Sequence, residues 1–247
     1  MPWAKTPRLF VPHQPIFPTR FGETLVMKNA LSLAFCLASL GLFAQAQDKG
    51  KPLFNGKNLD GFSIHSGTAT YRVEGDCIVG KTAEGSGNSF LVTDKEYGNF
   101  ELVFEVKVDN ALNSGVQIRS HLAPNDGFQP KLGGKLPKDR LYGPQVEIST
   151  DGMAGRIYDE ARRGKWLDTK EPTGETKGAF KKGDWNRYRI LAKGDRVQTW
   201  VNGVAIADMT DAEDAKGFIG LQVHGIGKGT GPYEVSWRKL IIRDLDQ

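Results

Sequence analysis

This 247-residue sequence predicts an all-β domain, on three observations. Short runs alternate apolar and polar residues, Gly-containing turn dipeptides separate them, and no segment keeps a long 3.6-residue apolar period. Glycine supplies 30 of the 247 residues, well above the roughly 7 % of average usage. Strand side chains point to opposite faces with period two, so one parity of each run packs a core and the other looks outward.

Four runs show this best. Val116 and Ile118 alternate with Gln117, Arg119 and His121; Val146 and Ile148 alternate with Gln145, Glu147, Ser149 and Asp151. Ile219, Leu221 and Val223 alternate with Gln222 and His224. Phe100, Leu102, Phe104 and Val106 alternate with Glu101, Glu105 and Lys107, although apolar Val103 shares that second parity. An outward face built only for solvation would be mostly Lys, Glu, Thr and Ser. This one offers Gln, Arg, Glu and two of the chain's four His, a mixture suited to a sugar-binding or catalytic surface.

The elements follow in order. Strands are expected over 70–73 and 77–80, turning at Glu74-Gly75, and over 89–92. Tyr97-Gly98 leads into 100–108, and 115–121 and 145–149 follow. Lys182-Gly183 precedes 185–192, which pairs with 196–201 through Lys193-Gly194-Asp195 as the clearest hairpin. Asn202-Gly203 ends that pair, and 217–224 and 233–243 complete the set. Residues 122–141 and 152–180 fit no strand pattern and read as long loops, functional or disordered, with Tyr158 and Trp166 the candidates to stack on a sugar ring.

The domain is expected over residues 51–245. Met27-Lys28-Asn29, the apolar run 30–43 and Ala44-Gln45-Ala46 read as a secretory signal peptide over 27–46, too short to span a bilayer. Residues 1–26 read as an upstream segment from a start assigned too early. A periplasmic or secreted domain with no stable membrane insertion is therefore expected. Four of the 33 basic and one of the 29 acidic residues lie in 1–46, leaving 29 against 28 and a formal charge of +1. No basic cluster with interleaved aromatics remains, which argues against nucleic-acid binding. Cys77 is the one cysteine beyond residue 46, so neither an intramolecular disulfide nor a Cys-based zinc site is expected there.

Candidate chemistry gathers on the outward parity. His224, at a strand end, suits proton transfer or metal binding, or is satisfied by a backbone carbonyl. Glu147 in a strand centre needs a partner or solvent, and Arg119 is the expected one. Asn113, before the Arg119 strand, either makes a plain turn or directs its amide to a ligand. His121 is expected at the site rim or in solvent, and His65 exposed. Trp185, Trp200 and Trp237 are expected to pack in the core or across strands.

Six segments then occur in order: Leu53-Phe54-Asn55-Gly56-Lys57-Asn58-Leu59-Asp60-Gly61-Phe62, Asn113-Ser114-Gly115-Val116-Gln117-Ile118-Arg119, Gly143-Pro144-Gln145-Val146-Glu147-Ile148, Trp185-Asn186-Arg187-Tyr188, Val201-Asn202-Gly203 and Gly220-Leu221-Gln222-Val223-His224-Gly225. This set closely resembles the 3-keto-disaccharide hydrolase domain family. The resemblance implies a concanavalin A-like jelly-roll sandwich of two antiparallel sheets with a concave ligand-binding face. It also implies cleavage of glycosides whose C3 hydroxyl has been oxidised to a ketone, by C2 deprotonation and elimination with or without hydration. On that reading His224 or Glu147 is the base and Arg119 the oxyanion stabiliser, with Lys107 or a divalent metal as the alternative. Asn113, Gln117, Gln145 and Gln222 would bind hydroxyls of the carbohydrate partner.

Two rivals share the fold class. A family 16-like glycoside hydrolase would need a second carboxyl near Glu147, but Asp151 is four residues on, about 13 Å along a regular strand. Retaining chemistry wants roughly 5–5.5 Å. A non-catalytic carbohydrate-binding module would lean on exposed aromatics rather than on Arg, Glu and His.

Overall fold

The computed structural model describes residues 50–246; the expectations for residues 1–26 and 27–46 lie outside them. Fourteen strands occur among the described residues: β1 (Lys51–Pro52), β2 (Phe62–Ser66), β3 (Thr70–Glu74), β4 (Cys77–Lys81), β5 (Ser89–Thr93), β6 (Phe100–Val108), β7 (Ser114–Leu122), β8 (Leu141–Ile148), β9 (Ile157–Glu160), β10 (Asn186–Lys193), β11 (Arg196–Val201), β12 (Val204–Thr210), β13 (Phe218–Val223) and β14 (Glu234–Asp244). The described helix is a single turn at Gly174–Lys177. All strand pairing is antiparallel.

The strands form two sheets. One has eight strands in the order β12-β11-β10-β6-β14-β4-β3 with β1 beside β14; the other runs β2-β5-β13-β7-β8-β9. The expected hairpin of β10 and β11 pairs Lys193 with Arg196 around Gly194-Asp195, with Gly194 at φ 55°, the left-handed backbone a two-residue turn requires. Strands β1, β2, β9 and β12 were not expected. Ile157-Tyr158-Asp159-Glu160 is too short and too polar to stand out within residues 152–180, so only pairing with β8 makes it a strand.

Apolar parities meet between the sheets. Phe100, Leu102, Phe104 and Val106 of β6 pack against Val116, Ile118, Val146, Ile148, Ile219 and Leu221 of the second sheet, all fully buried. Removing such side chains from water contributes about 1.5–3 kcal/mol each. Two tyrosines of the first sheet also reach across the core. Tyr71 Oη donates to Ser89 O and Leu221 O at 2.9 Å, and Tyr188 Oη to Glu147 O at 3.2 Å. The Glu147 backbone is thereby fixed from below.

Strand β8 begins four residues earlier than expected, because Leu141-Tyr142-Gly143-Pro144 carries no apolar–polar alternation of its own. Pro144 faces a β-bulge in β7, where the register shifts between Gln117 and His121, so its missing N–H deprives no ladder partner. Beyond the bulge the hairpin of β7 and β8 curls over the second sheet. Leu141 packs on Phe90 and Val92, and Ser66 Oγ donates to Asp139 O at 3.1 Å. Gly220 makes the close approach feasible: a Cβ there would lie 2.4 Å from Leu141 Cδ2.

Candidate functional site

The outer face of the second sheet carries the candidate site. Register aligns His65, Phe90, Gln222, Gly115 and Glu147 across β2, β5, β13, β7 and β8. A second row holds Val92, Gly220, Gln117, Gln145 and Tyr158. Glu147, Gln145, Gln117, Gln222 and Tyr158 thus share one surface through strand pairing.

Glu147 is 6 % exposed, and its two carboxylate oxygens accept different amides. Asn113 Nδ2 donates to Oε1, and Gln145 Nε2 donates to Oε2 at 3.3 Å. Gln145 Oε1 in turn accepts from Gln222 Nε2 at 2.8 Å. This last bond crosses β7 over Gly115, where a Cβ would lie 2.4 Å from Gln145 Cδ. Burial pushes the Glu147 carboxyl up to about 7, the two amide donors oppose that, and Asp151 and Glu160 add to it. Burial outweighs two hydrogen bonds, so the group changes charge near neutral pH.

Three residues that the sequence did not single out complete the face. Arg140, just before β8, pairs with Glu160 through Nη2 and lies 5.0 Å above the Phe90 ring. Asn88 Nδ2 donates to the same Glu160 carboxylate at 3.2 Å, and Asn88 Oδ1 accepts from Gly225 N at 2.8 Å. Arg140 sits at the end of an expected loop and Glu160 in an unexpected strand. Polar residues flanking Leu141 and Tyr158 were the only sequence signal. Among the described residues, the buried side-chain atoms without a partner include Gln117 Nε2 and Oε1, Gln222 Oε1 and Arg140 Nη1, all from this face. Buried polar groups are normally paired, so the unpaired ones gathered here set this face apart from the rest of the sandwich.

Several expectations need correction. Arg119 is not the partner of Glu147. It sits in the β7 bulge at φ 45°, which reverses its parity, and its guanidinium donates to Gly98 O and Gly194 O at 2.8 Å and Asp214 O at 3.3 Å. Burial lowers its pKa, and its contacts are loop carbonyls. Lys107 lies on the exposed outer parity of β6, in the other sheet. His121 Nε2 binds Asp214 Oδ1 at 2.9 Å, and Arg162 Nη2 binds Asp214 Oδ2 at 2.7 Å; this is a partly buried charge network rather than a site rim.

His224 is exposed at the end of β13, its Nδ1 2.7 Å from Gly225 O. It borders the face without a described contact to Glu147. Asn113 lies on the face, bonded to Glu147. Tyr158 and Trp166 are half-buried and pack edge to face at 5.3 Å. Arg156 stacks on Trp166 at 4.5 Å and is anchored by Asp168 at 2.9 Å, so the aromatic pair forms a rigid flank beside Gln145. Trp237 is in the core, whereas Trp185 and Trp200 lie under Arg238 and Arg189 on the other sheet. His65 is half-buried rather than exposed. Asp151 is held in a turn by Ser149 Oγ at 2.6 Å and Met153 N at 3.0 Å. It is not placed as a second catalytic carboxyl.

Among the described residues no three His, Cys, Asp or Glu side chains gather as metal ligands.

Solved structures with this architecture include a candidate glycosyl hydrolase from Parabacteroides distasonis, 20 % identical with a TM-score of 0.51, covering 82 % of this chain and 97 % of that one. The carbohydrate-binding module CBM66 from Bacillus subtilis is 14 % identical, TM-score 0.51, covering 74 % and 95 %. A Bacillus subtilis protein of unknown function with a galectin-like fold is 10 % identical, TM-score 0.52, covering 79 % and 96 %. No curated protein matches the chain. At these identities the structures show the fold, a two-sheet jelly roll of the galectin-like kind. Residues 49–243 match the 3-keto-alpha-glucoside-1,2-lyase-like domain, and the chain belongs to that family.

Proposed function

We propose that this protein is an exported carbohydrate-active enzyme that cleaves 3-keto-glycosides by eliminating the group at C1, with Glu147 as the base. One observation carries the reading: a buried carboxylate on the outer face, bracketed by amide donors and titrating at about 7. A C3 ketone acidifies the C2 proton. The Glu147 carboxylate takes that proton, and the C–H electron pair becomes an enolate on the C3 oxygen. The enolate re-forms the ketone and expels the C1 oxygen, which leaves with the proton that Glu147 took from C2, so the carboxylate is restored. The ring keeps a C1–C2 double bond, and addition of water to it gives net hydrolysis. No oxidant is consumed. A base with a pKa near the working pH combines a useful ionised fraction with real basicity.

Developing charge at the C3 oxygen needs a fixed donor. Arg140 takes the role expected of Arg119, because its guanidinium is braced by Glu160 and Phe90 while Nη1 remains unpartnered. Gln117 and Gln222 supply donors and acceptors for hydroxyls, and Tyr158 with Trp166 flanks the ring.

The test pairs a native glucoside with its 3-keto counterpart, each carrying a chromogenic leaving group, with and without chelator. Release from the 3-keto substrate alone is the expected result. Release from the native glucoside would replace this mechanism with conventional glycoside hydrolysis. Release from neither, with sugar retained on the protein, would favour a binding module. Loss of release with chelator would put a metal into the mechanism. Export through residues 27–46 is tested by the N-terminus of the protein recovered from a producing cell.

A further inference from the structure

Three polar side chains of the outer face form a chain with one direction. Gln222 Nε2 donates to Gln145 Oε1 at 2.8 Å, and Gln145 Nε2 donates to Glu147 Oε2 at 3.3 Å. At the far end Gln222 Oε1 is buried and accepts nothing. The order follows from the carboxylate. An ionised Glu147 accepts only, so Gln145 must turn its NH2 toward it and its carbonyl toward Gln222. Gln222 must then turn its NH2 toward Gln145, which leaves its carbonyl for a ligand. We infer that Gln222 and Gln145 form a one-way amide relay that ties a hydroxyl-binding position at Gln222 Oε1 to the Glu147 carboxylate.

Two further features agree. Gly115 leaves Gln145 the space to cross β7, since a Cβ would lie 2.4 Å from its Cδ. Hydrogen bonds in a chain polarise one another. A sugar hydroxyl donating to Gln222 Oε1 therefore strengthens the donation from Gln145 to Glu147 and favours the ionised form. Occupancy of the site and readiness of the base become one event. The other groups acting on Glu147 are Asn113, which also donates to it, Asp151 beyond β8 and Glu160 on β9. Tyr158 and Tyr188 both lie close enough to sense its charge. None of these lies on the path through Gln222. Gln222 is thus a positioning residue for Glu147 as well as a contact for substrate.

The relay rests on Glu147 being the base, but its titration can be read without turnover. In protein labelled with 13C at glutamate carboxyls, the Glu147 signal is assigned by its loss in Glu147→Gln and followed against pH. Gln222→Met and Gln145→Met should each raise its midpoint by about half a unit, roughly threefold in the ionisation constant. An unchanged midpoint in folded Gln222→Met, or a shift in Gln145→Met alone, overturns the relay. If Gln222→Met does not fold, Gln222→Asn, too short to reach Gln145, carries the same test. With the chromogenic 3-keto-glucoside, Gln222→Met should raise KM about tenfold, the scale of one lost hydrogen bond. The acid limb of kcat/KM should move up with the NMR midpoint. An unchanged KM removes the hydroxyl-binding end. If wild-type protein does not cleave 3-keto-glucosides, the functional reading fails while the titration still decides the relay.

Discussion

Glu147 and Arg119 show how far a residue's role departs from its sequence parity. Both were expected on one face as partners, yet Glu147 meets Asn113 and Gln145 while Arg119 binds carbonyls of Gly98, Gly194 and Asp214. Glu147→Gln should lower kcat/KM by about 10²–10⁴-fold, the scale of a lost general base. In wild type kcat/KM should rise as pH rises through about 7, since the base must be ionised. Stability runs the other way. The folded pKa of Glu147 lies above its unfolded value, so its protonation stabilises the fold below about pH 4. That contribution is lost as pH climbs through about 7. Glu147→Gln should therefore gain up to about 3 kcal/mol over wild type at pH 8 and little at pH 4, measured by denaturant unfolding at both. Arg119→Met should cost about 2–3 kcal/mol by removing the shared donor of the Gly98, Gly194 and Asp214 carbonyls, with turnover per folded molecule retained.

At the scale of elements, the bulge in β7 and the glycines beside it shape the site. The bulge turns Arg119 toward the loops and curls the hairpin of β7 and β8 until Leu141 rests on Phe90 and Val92. Gly115 keeps β7 low enough for Gln145 to pass. Gly115→Ala should lower kcat/KM at least about tenfold by displacing Gln145, with the loss appearing in kcat/KM at unchanged leaving group. Alternation identified β6, β7, β10, β11 and β13 closely, because each carries an apolar parity facing the core against a polar one on its other face. It missed β9, whose four residues carry Tyr158 and Glu160, because a strand that short is recognisable only beside its partner. The 122–141 segment read as a loop, and its penultimate residue, Arg140, is the cation of the face. Sequence spacing alone does not tell a loop that ends in solvent from one that ends over a sheet.

Across the whole molecule, the two sheets divide the labour. The eight-stranded sheet carries a surface of ion pairs, such as Glu105 with Arg238 at 2.7 Å and Lys239 at 3.0 Å, and sends Tyr71 and Tyr188 through the core to brace the other. The six-stranded sheet carries the polar face. Lys107 belongs to the first sheet, so Lys107→Ala should leave turnover of the 3-keto substrate unchanged within about twofold; a larger loss would move the site across the sandwich. The sequence by itself determined the all-β class, the core parities and the outward placement of Gln117, Gln145, Glu147 and Gln222, because period-two patterning is local and survives without knowing which strands pair; six ordered segments carried the family. Tertiary structure alone decided which cation joins the polar face, since Arg119 and Arg140 are distinguished by one bulge and one curled hairpin. It also decided the raised pKa of Glu147, because burial is a property of everything folded around a side chain and is written at no single position of the chain.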